Sequence, residues 1–220
     1  MAKTIIIIFI GTVLATGLTG LRAQISDRQL NKLSDAPNDT LLRQSDSAIF
    51  FASYEAALKQ WKTISDVNNW IKGNFRYDIE RAKQLAENSS LREKTGIYSP
   101  AELYQTPKGV CIDLSRFAVE TINLIDTAKH LQYLMIEFEP IIIDGMSIKK
   151  HWAAIYHDTT GYYILADSKR PGHIAGPYEN VEDFITEYQT FRDRRIIAYK
   201  VLLSYQKKKK GEPIKMPKNM

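Results

Sequence analysis

The chain has 220 residues, 44% hydrophobic and 25% charged, a balance that supports one folded domain and excludes a chain too polar to build a core. Its net charge of +5 is set at its ends: leaving out Lys3, Arg22 and everything from Lys207 onward, 22 basic residues face 24 acidic ones. No basic stripe interleaved with aromatics remains in that body, which argues against nucleic acid as a partner.

Residues 1–23 read as a secretory signal peptide: Lys3 supplies the positive start, Ile5 to Leu14 is nearly all apolar, and Leu21-Arg22-Ala23-Gln24 offers cleavage after Ala23. The apolar run is shorter than the roughly 20 residues a spanning helix needs, and no cysteine follows the cleavage point to carry a lipid. The expectation is an exported protein, periplasmic or extracellular, not membrane-spanning and monomeric. Residues 24–45 are polar and poorly patterned and are expected to form a loosely packed N-terminal arm. Residues 207–220, with Lys207 to Lys210 in a run, are expected to be a basic disordered tail; contact with an anionic surface is the alternative.

Residues 46–206 carry the folded domain. Ser47 to Ile64 has alanines, aromatics and leucine at helical spacing, and Val67, Trp70, Ile71 and Phe75 continue a stripe with Ser65 or Asp66 as its cap. Ile79 to Leu91 predicts a more polar helix. Ser99-Pro100-Ala101-Glu102 is a helix start, with Ser as cap, Pro in the first turn and Glu reaching back. After the break at Pro107-Lys108-Gly109, Leu114, Phe117, Ala118, Thr121, Ile122 and Ile125 share one helical face running to about Asp126. Leu131 to Phe138 predicts a strand, Asp144-Gly145 a turn, and Ile148 to His157 with Tyr162 to Asp167 a strand pair. Asn180 caps a helix over Val181 to Arg192, and Arg195 to Tyr205 closes as a strand. Helices first and an antiparallel sheet later predict an α+β fold.

Cys111 is the one cysteine of the chain. It is a buried small side chain, an intermolecular link or a reactive thiol, and its neighbourhood decides. It opens the helix that follows Gly109, where unpaired N–H groups and the positive dipole end favour a thiolate. Asp113, in the same first turn, reads as a capping carboxylate. Downstream, the register of the hairpin decides whether His151 and Asp167 meet. If His157 pairs with Gly161 across three residues, His151 faces Asp167 directly; a two-residue loop splits them onto opposite faces unless a bulge intervenes. In the favourable register a carboxylate orients an imidazole, and with Cys111 the three suit thiol-based acyl transfer. His130, His157 and His173 sit in connections or near the turn. No metal-ligand spacing emerges from His151, His157, Asp167 and His173, so no metal or other cofactor is expected.

Gly109-Val110-Cys111-Ile112-Asp113, then His151-Trp152, then Asp167, with Val67-Asn68-Asn69-Trp70-Ile71 and Phe75-Arg76-Tyr77-Asp78 upstream, resemble the transglutaminase-like superfamily over about Asp66 to Asp167. The resemblance implies a papain-like core, with Cys111 as nucleophile, His151 as general base and acid, and Asp167 as orienter. It also implies an upstream oxyanion donor, for which Gln105 is the candidate beside the Cys111 backbone N–H. Ser168-Lys169-Arg170 stands where Pro-Thr is common after the aspartate, and Tyr163 where tryptophan is frequent. Trp152, Lys169 and Arg170 are candidates for contacts with substrate. The expected partner is a peptide or protein, including cell-wall peptides. The expected activity is that of a cysteine hydrolase or acyltransferase on amide bonds; the alternative is a non-catalytic module binding peptide or glycan on the same fold.

Overall fold

Phe117 and Trp70 are drawn together by the helical stripes that carry them, and this pair organises the first half of the fold. The computed structural model describes residues 34–37, 51–87, 96–143 and 146–206. The expectations for residues 1–23 and 207–220, for Asp144-Gly145 and for most of the N-terminal arm lie outside the described residues.

Helix α1 (Tyr54–Gln60) is capped by Ser53, and α2 (Ile64–Asn74) by Thr63. The expected caps Ser65 and Asp66 fall inside the helix, two and three residues past Thr63. Asp66 is instead the third helical residue, and its carboxylate reaches back to the Thr63 N–H at 2.9 Å. The long helix expected across Ser47 to Ile64 is broken after Gln60, because Trp61 leaves the helical region to bury its ring against Trp70 and Phe117. A short strand β1 (Arg76–Tyr77) follows, then α3 (Ile79–Glu87) and α4 (Pro100–Gln105), whose Ser99–Glu102 capping box is as expected. Strand β2 (Lys108–Gly109) pairs in parallel with β1 and delivers the chain into α5 (Cys111–Ile125). Trp70 lies 4.6 Å from Phe117 and 5.1 Å from Tyr104 between ring centroids, so α2, α4 and α5 share one aromatic core.

The second half is a five-stranded antiparallel sheet. Strand β3 (Gln132–Ile143) pairs with β4 (Met146–Asp158), β4 with β5 (Gly161–Leu165), β5 with β6 (Ala175–Tyr178), and β3 on its other side with β7 (Ile196–Leu202). The spatial order is β6-β5-β4-β3-β7. Strand side chains alternate between faces. Tyr133, Ala154 and Tyr156 join the core made by the N-terminal helices, while Leu134, Ile136, Ala153, Ile155 and Ile164 pack under α6 (Val181–Arg192) through Phe184 and Tyr188. The result is the expected α+β fold, with α5 lying on β4. Strand β6 was not anticipated: its text, Ala-Gly-Pro-Tyr, lacks the β-branched character that marks a strand in sequence.

The hairpin departs from the expected register. Asp158 pairs with Gly161, so the loop is the two-residue Thr159-Thr160. The Asp158 carboxylate accepts from the Thr160 N–H at 2.9 Å and its hydroxyl at 2.6 Å, which closes the tighter turn. Continued in that register, Asp167 would share the face of Trp152 and turn away from His151. The ladder stops at Leu165 instead, and Ala166 takes a left-handed conformation, φ +56°. That single residue breaks the alternation and swings Asp167 to the face of His151.

Candidate functional site

Cys111 is the first residue of α5, and Val110 before it has no polar side chain with which to cap the helix. Asp113 does that work: its carboxylate accepts from the Val110 N–H at 3.0 Å and the Tyr98 N–H at 2.9 Å, and receives Arg81 at 2.7 and 2.9 Å. Asp113 is therefore a cap, as expected, and also the buried ion-pair partner of Arg81. Gly109 is required for space. A Cβ there would stand 2.9 Å from Leu103 Cδ1 and 3.1 Å from Asp113 Cβ, so a side chain would displace the Leu103 tip and crowd the Asp113 cap.

His151 is fully buried on β4, and both ring nitrogens face carboxylates. Nε2 lies 3.0 Å from Asp167 Oδ1, and Nδ1 lies 3.1 Å from Asp35 Oδ1. Both are ion-pair contacts set off the straight N–H direction of a linear hydrogen bond. Cys111 Sγ, an Asp35 oxygen and a His151 ring nitrogen lie within 4.8 Å of one another. The structure thus brings Cys111, His151 and Asp167 to one place, and adds a fourth member, Asp35.

Asp35 belongs to the N-terminal arm, where loose packing was expected. Ser34, Asp35 and Ala36 are buried, and the grip is specific. Arg192 donates to Asp35 Oδ1 at 2.8 Å and to the Ser34 carbonyl at 3.2 Å. Lys169 Nζ donates to the Ser34 carbonyl at 3.2 Å, and Ser168 Oγ to the Asp35 carbonyl at 2.9 Å. Asp35 was missed because one aspartate in a polar, unpatterned stretch carries no signal of burial. In the sequence Arg192 marks only the end of a helix, yet its side chain is completely enclosed.

Asp167 is held on every side. Its oxygens receive the Tyr188 hydroxyl at 3.0 Å, the Lys169 backbone N–H at 2.8 Å and Arg170 Nε at 3.1 Å, besides His151. Arg170 is therefore engaged with Asp167, and more distantly with Glu187 at 3.7 Å. Tyr188 also stacks on the His151 ring at 5.7 Å and accepts from Arg192 Nη1 at 3.0 Å. Trp152 points to the opposite face of the sheet, half-buried, its ring 6.4 Å from Tyr133. Gln105 is exposed at the end of α4. His157 is exposed and lies beside the Tyr162 ring, and His173 is exposed after the turn that follows Asp167.

The charges follow from this packing. Burial works to keep His151 neutral, but the Tyr188 oxygen and the Asp35 and Asp167 carboxylates overcome it and lift its pKa well above 6.5. Against burial, His151 and Arg192 hold Asp35 far below 3.8, and His151 with Arg170 and Arg192 does the same for Asp167. Burial, and next the Asp35 charge, push the Cys111 thiol up, while His151 and the Trp152 N–H pull it down. The Tyr77 phenol, raised well above 10 by burial and then by Asp35 and Cys111, stays protonated beside them. Asp35, Cys111 and His151 are spaced as three metal ligands could be. Arg192 at 2.8 Å from the same Asp35 oxygen works against a divalent cation, because it already supplies the positive charge that carboxylate needs.

A pH dependence of stability follows. The protonated His151 stabilises the fold below the free imidazole value of 6.5, and that contribution is lost as pH rises through its higher folded value. The two depressed carboxylates contribute above 3.8 and lose that contribution as pH falls through their lower folded values. The cluster is therefore most stabilising from about pH 4 to beyond pH 6.5. Melting curves of wild type and His151→Gln should differ most inside that window and converge on the alkaline side. A difference in Tm that is flat with pH would contradict the charge assignment.

A family model described as a transglutaminase-like domain matches residues 53–199. A search of curated proteins gives no match to the chain. The matched span contains Cys111, His151 and Asp167 and leaves out Asp35.

Proposed function

Because the chain belongs to the transglutaminase-like domain family, we propose that it is a cysteine hydrolase or acyltransferase acting on amide bonds of peptides or proteins through an acyl-thioester on Cys111. One observation carries this reading. A thiol at a helix N-terminus lies within 4.8 Å of a nitrogen of an imidazole whose Nε2 pairs at 3.0 Å with a buried aspartate.

In the proposed cycle His151 takes the Cys111 proton and Sγ attacks the amide carbon. The C–N bond breaks as His151 returns that proton to the leaving amine, and the acyl group remains as a thioester. Water, deprotonated by His151, attacks the thioester, releasing a carboxylate and restoring the thiol. An amine in place of water gives a new amide. Asp167, fixed by Tyr188, Arg170 and the Lys169 N–H, sets the orientation of the ring and favours the imidazolium. The Cys111 N–H, in the first turn of α5 where no helical carbonyl serves it, is the proposed oxyanion donor, with Gln105 as a second.

The apolar leader and the Ala23 cleavage text support action outside the cytoplasm, with cell-wall peptides among the candidate substrates. Among the described residues no helix is long and apolar enough to cross a membrane. The second reading, a non-catalytic module, is favoured by Asp35, whose carboxylate stands within 4.8 Å of the thiol and pairs with His151. The proximity of sulfur and imidazole favours chemistry over it. The test is incubation with mixed peptide and protein amides, with mass spectrometry reading hydrolysed and amine-exchanged products. Products should form with wild type and vanish with Cys111→Ala; equal product from both proteins overturns the enzyme reading.

A further inference from the structure

Ser34 and Asp35 lie across the reaction centre as a bound peptide would. The backbone carbonyl of Ser34 is taken by two cations, Lys169 and Arg192, and that of Asp35 by the Ser168 hydroxyl. A side-chain oxygen of Asp35 lies within 4.8 Å of both the Cys111 sulfur and a His151 ring nitrogen, and its Oδ1 touches both Arg192 and His151. Every one of these protein groups is buried. A guanidinium enclosed this completely needs an anion, since an unpaired buried charge is strongly unfavourable. Arg192 is thus a fixed positive wall of the cleft, with Tyr188 holding its other end at 3.0 Å.

The position of the carboxylate has a chemical consequence. The working pair needs a thiolate as counter-ion of the imidazolium. With Asp35 3.1 Å from Nδ1, the imidazolium already has an anion, and a second negative charge on sulfur is opposed by the first. The arm in place therefore shifts the thiol toward its protonated form.

We propose that Ser168, Lys169 and Arg192 form a peptide subsite for a carboxylate-bearing residue beside Cys111, and that Ser34 to Pro37 fill it in cis and slow the thiol. The ligand class is an acidic peptide, bound through one side-chain carboxylate and two backbone carbonyls. An external segment must displace the arm to enter. Because a tethered segment acts at roughly millimolar effective concentration, an external one must bind better or be present in excess. The slowing half rests on the reading of Cys111 as nucleophile; the binding half does not.

Cys111 is the chain's one cysteine, so alkylation of full-length protein by iodoacetamide reports on this site alone. Asp35→Asn removes the charge and keeps the shape. It should alkylate at least about tenfold faster than wild type at neutral pH, in line with one unit of thiol pKa. A synthetic Ser-Asp-Ala-Pro peptide, blocked at both ends and at millimolar concentration, should slow that reaction again, whereas Ser-Asn-Ala-Pro should not. Ser168→Ala removes only the hydroxyl on the Asp35 carbonyl and should give a smaller, severalfold acceleration; it carries the test if Asp35→Asn does not fold. Folded variants no faster than wild type overturn the proposal, as does protection by neither peptide or by both equally. Fast alkylation with Asp-selective protection, in a protein that turns over no amide, upholds the subsite and overturns the enzyme reading alone.

Discussion

His151→Gln is expected to lower amide turnover about 100- to 10,000-fold, the range for loss of a positioned general base and acid. Glutamine suits the test because its NH2 can donate to one of the two carboxylates that the imidazole now faces, at 3.0 and 3.1 Å, yet it takes no proton from sulfur. Alanine would leave Asp35 and Asp167 facing an empty pocket, and a loss of fold would be confused with a loss of chemistry. The kinetic signature matters as much as the size. If His151 acts on both acylation and deacylation, kcat and kcat/KM fall together. A rise in KM at constant kcat would assign His151 to binding and contradict the proposed cycle. Alkylation of Cys111 at neutral pH should slow in the same variant, because the thiol loses the cation that opposes its burial.

Asp113→Ala is expected to destabilise the protein by about 3–5 kcal/mol, the range for breaking one side of a buried ion pair. Asp113 is 0% exposed and Arg81 5%, so solvent does little to screen what is lost. Removing the carboxylate strands Arg81 and leaves the Val110 and Tyr98 N–H groups without the oxygens that now receive them. Urea denaturation reads the change as a lower midpoint at nearly constant slope. The affected turn is the one that presents Cys111, so folded Asp113→Asn should also lose activity. A destabilisation under about 1 kcal/mol for Asp113→Ala would mean that water replaces the carboxylate and the helix start is less enclosed than described.

The parts of this molecule legible in its sequence are those set by local pattern. The stripe of Leu114, Phe117, Ala118, Thr121 and Ile122 identified α5, and all five are buried against neighbours. Ser99 with Glu102 announced α4 through a capping box that needs only three intervening bonds of helix. Cys111 at a helix start, followed by His151 and Asp167 on later elements, was legible because residue type, order and element agree. The register was not, because the loop length depends on Asp158 bonding to Thr160, and the meeting of His151 with Asp167 depends on the left-handed Ala166. Neither alanine nor threonine advertises those conformations. Arg192 and Asp35 were invisible for a different reason: their partnership joins positions 157 residues apart, and each alone is an ordinary charged residue. Asp35 also lies outside the span matched by the family, so likeness to that family does not point to it.

Trapping the thioester tests the central claim most directly. Full-length protein, as wild type and as Asp35→Asn, is treated under native conditions with a peptidyl acylating probe, and intact mass with peptide mapping follows. A single adduct on Cys111 is predicted, faster with Asp35→Asn, absent from Cys111→Ala and strongly slowed in His151→Gln. Acylation that appears only after unfolding, or that proceeds at the same rate without His151, would contradict a nucleophilic Cys111 served by that imidazole.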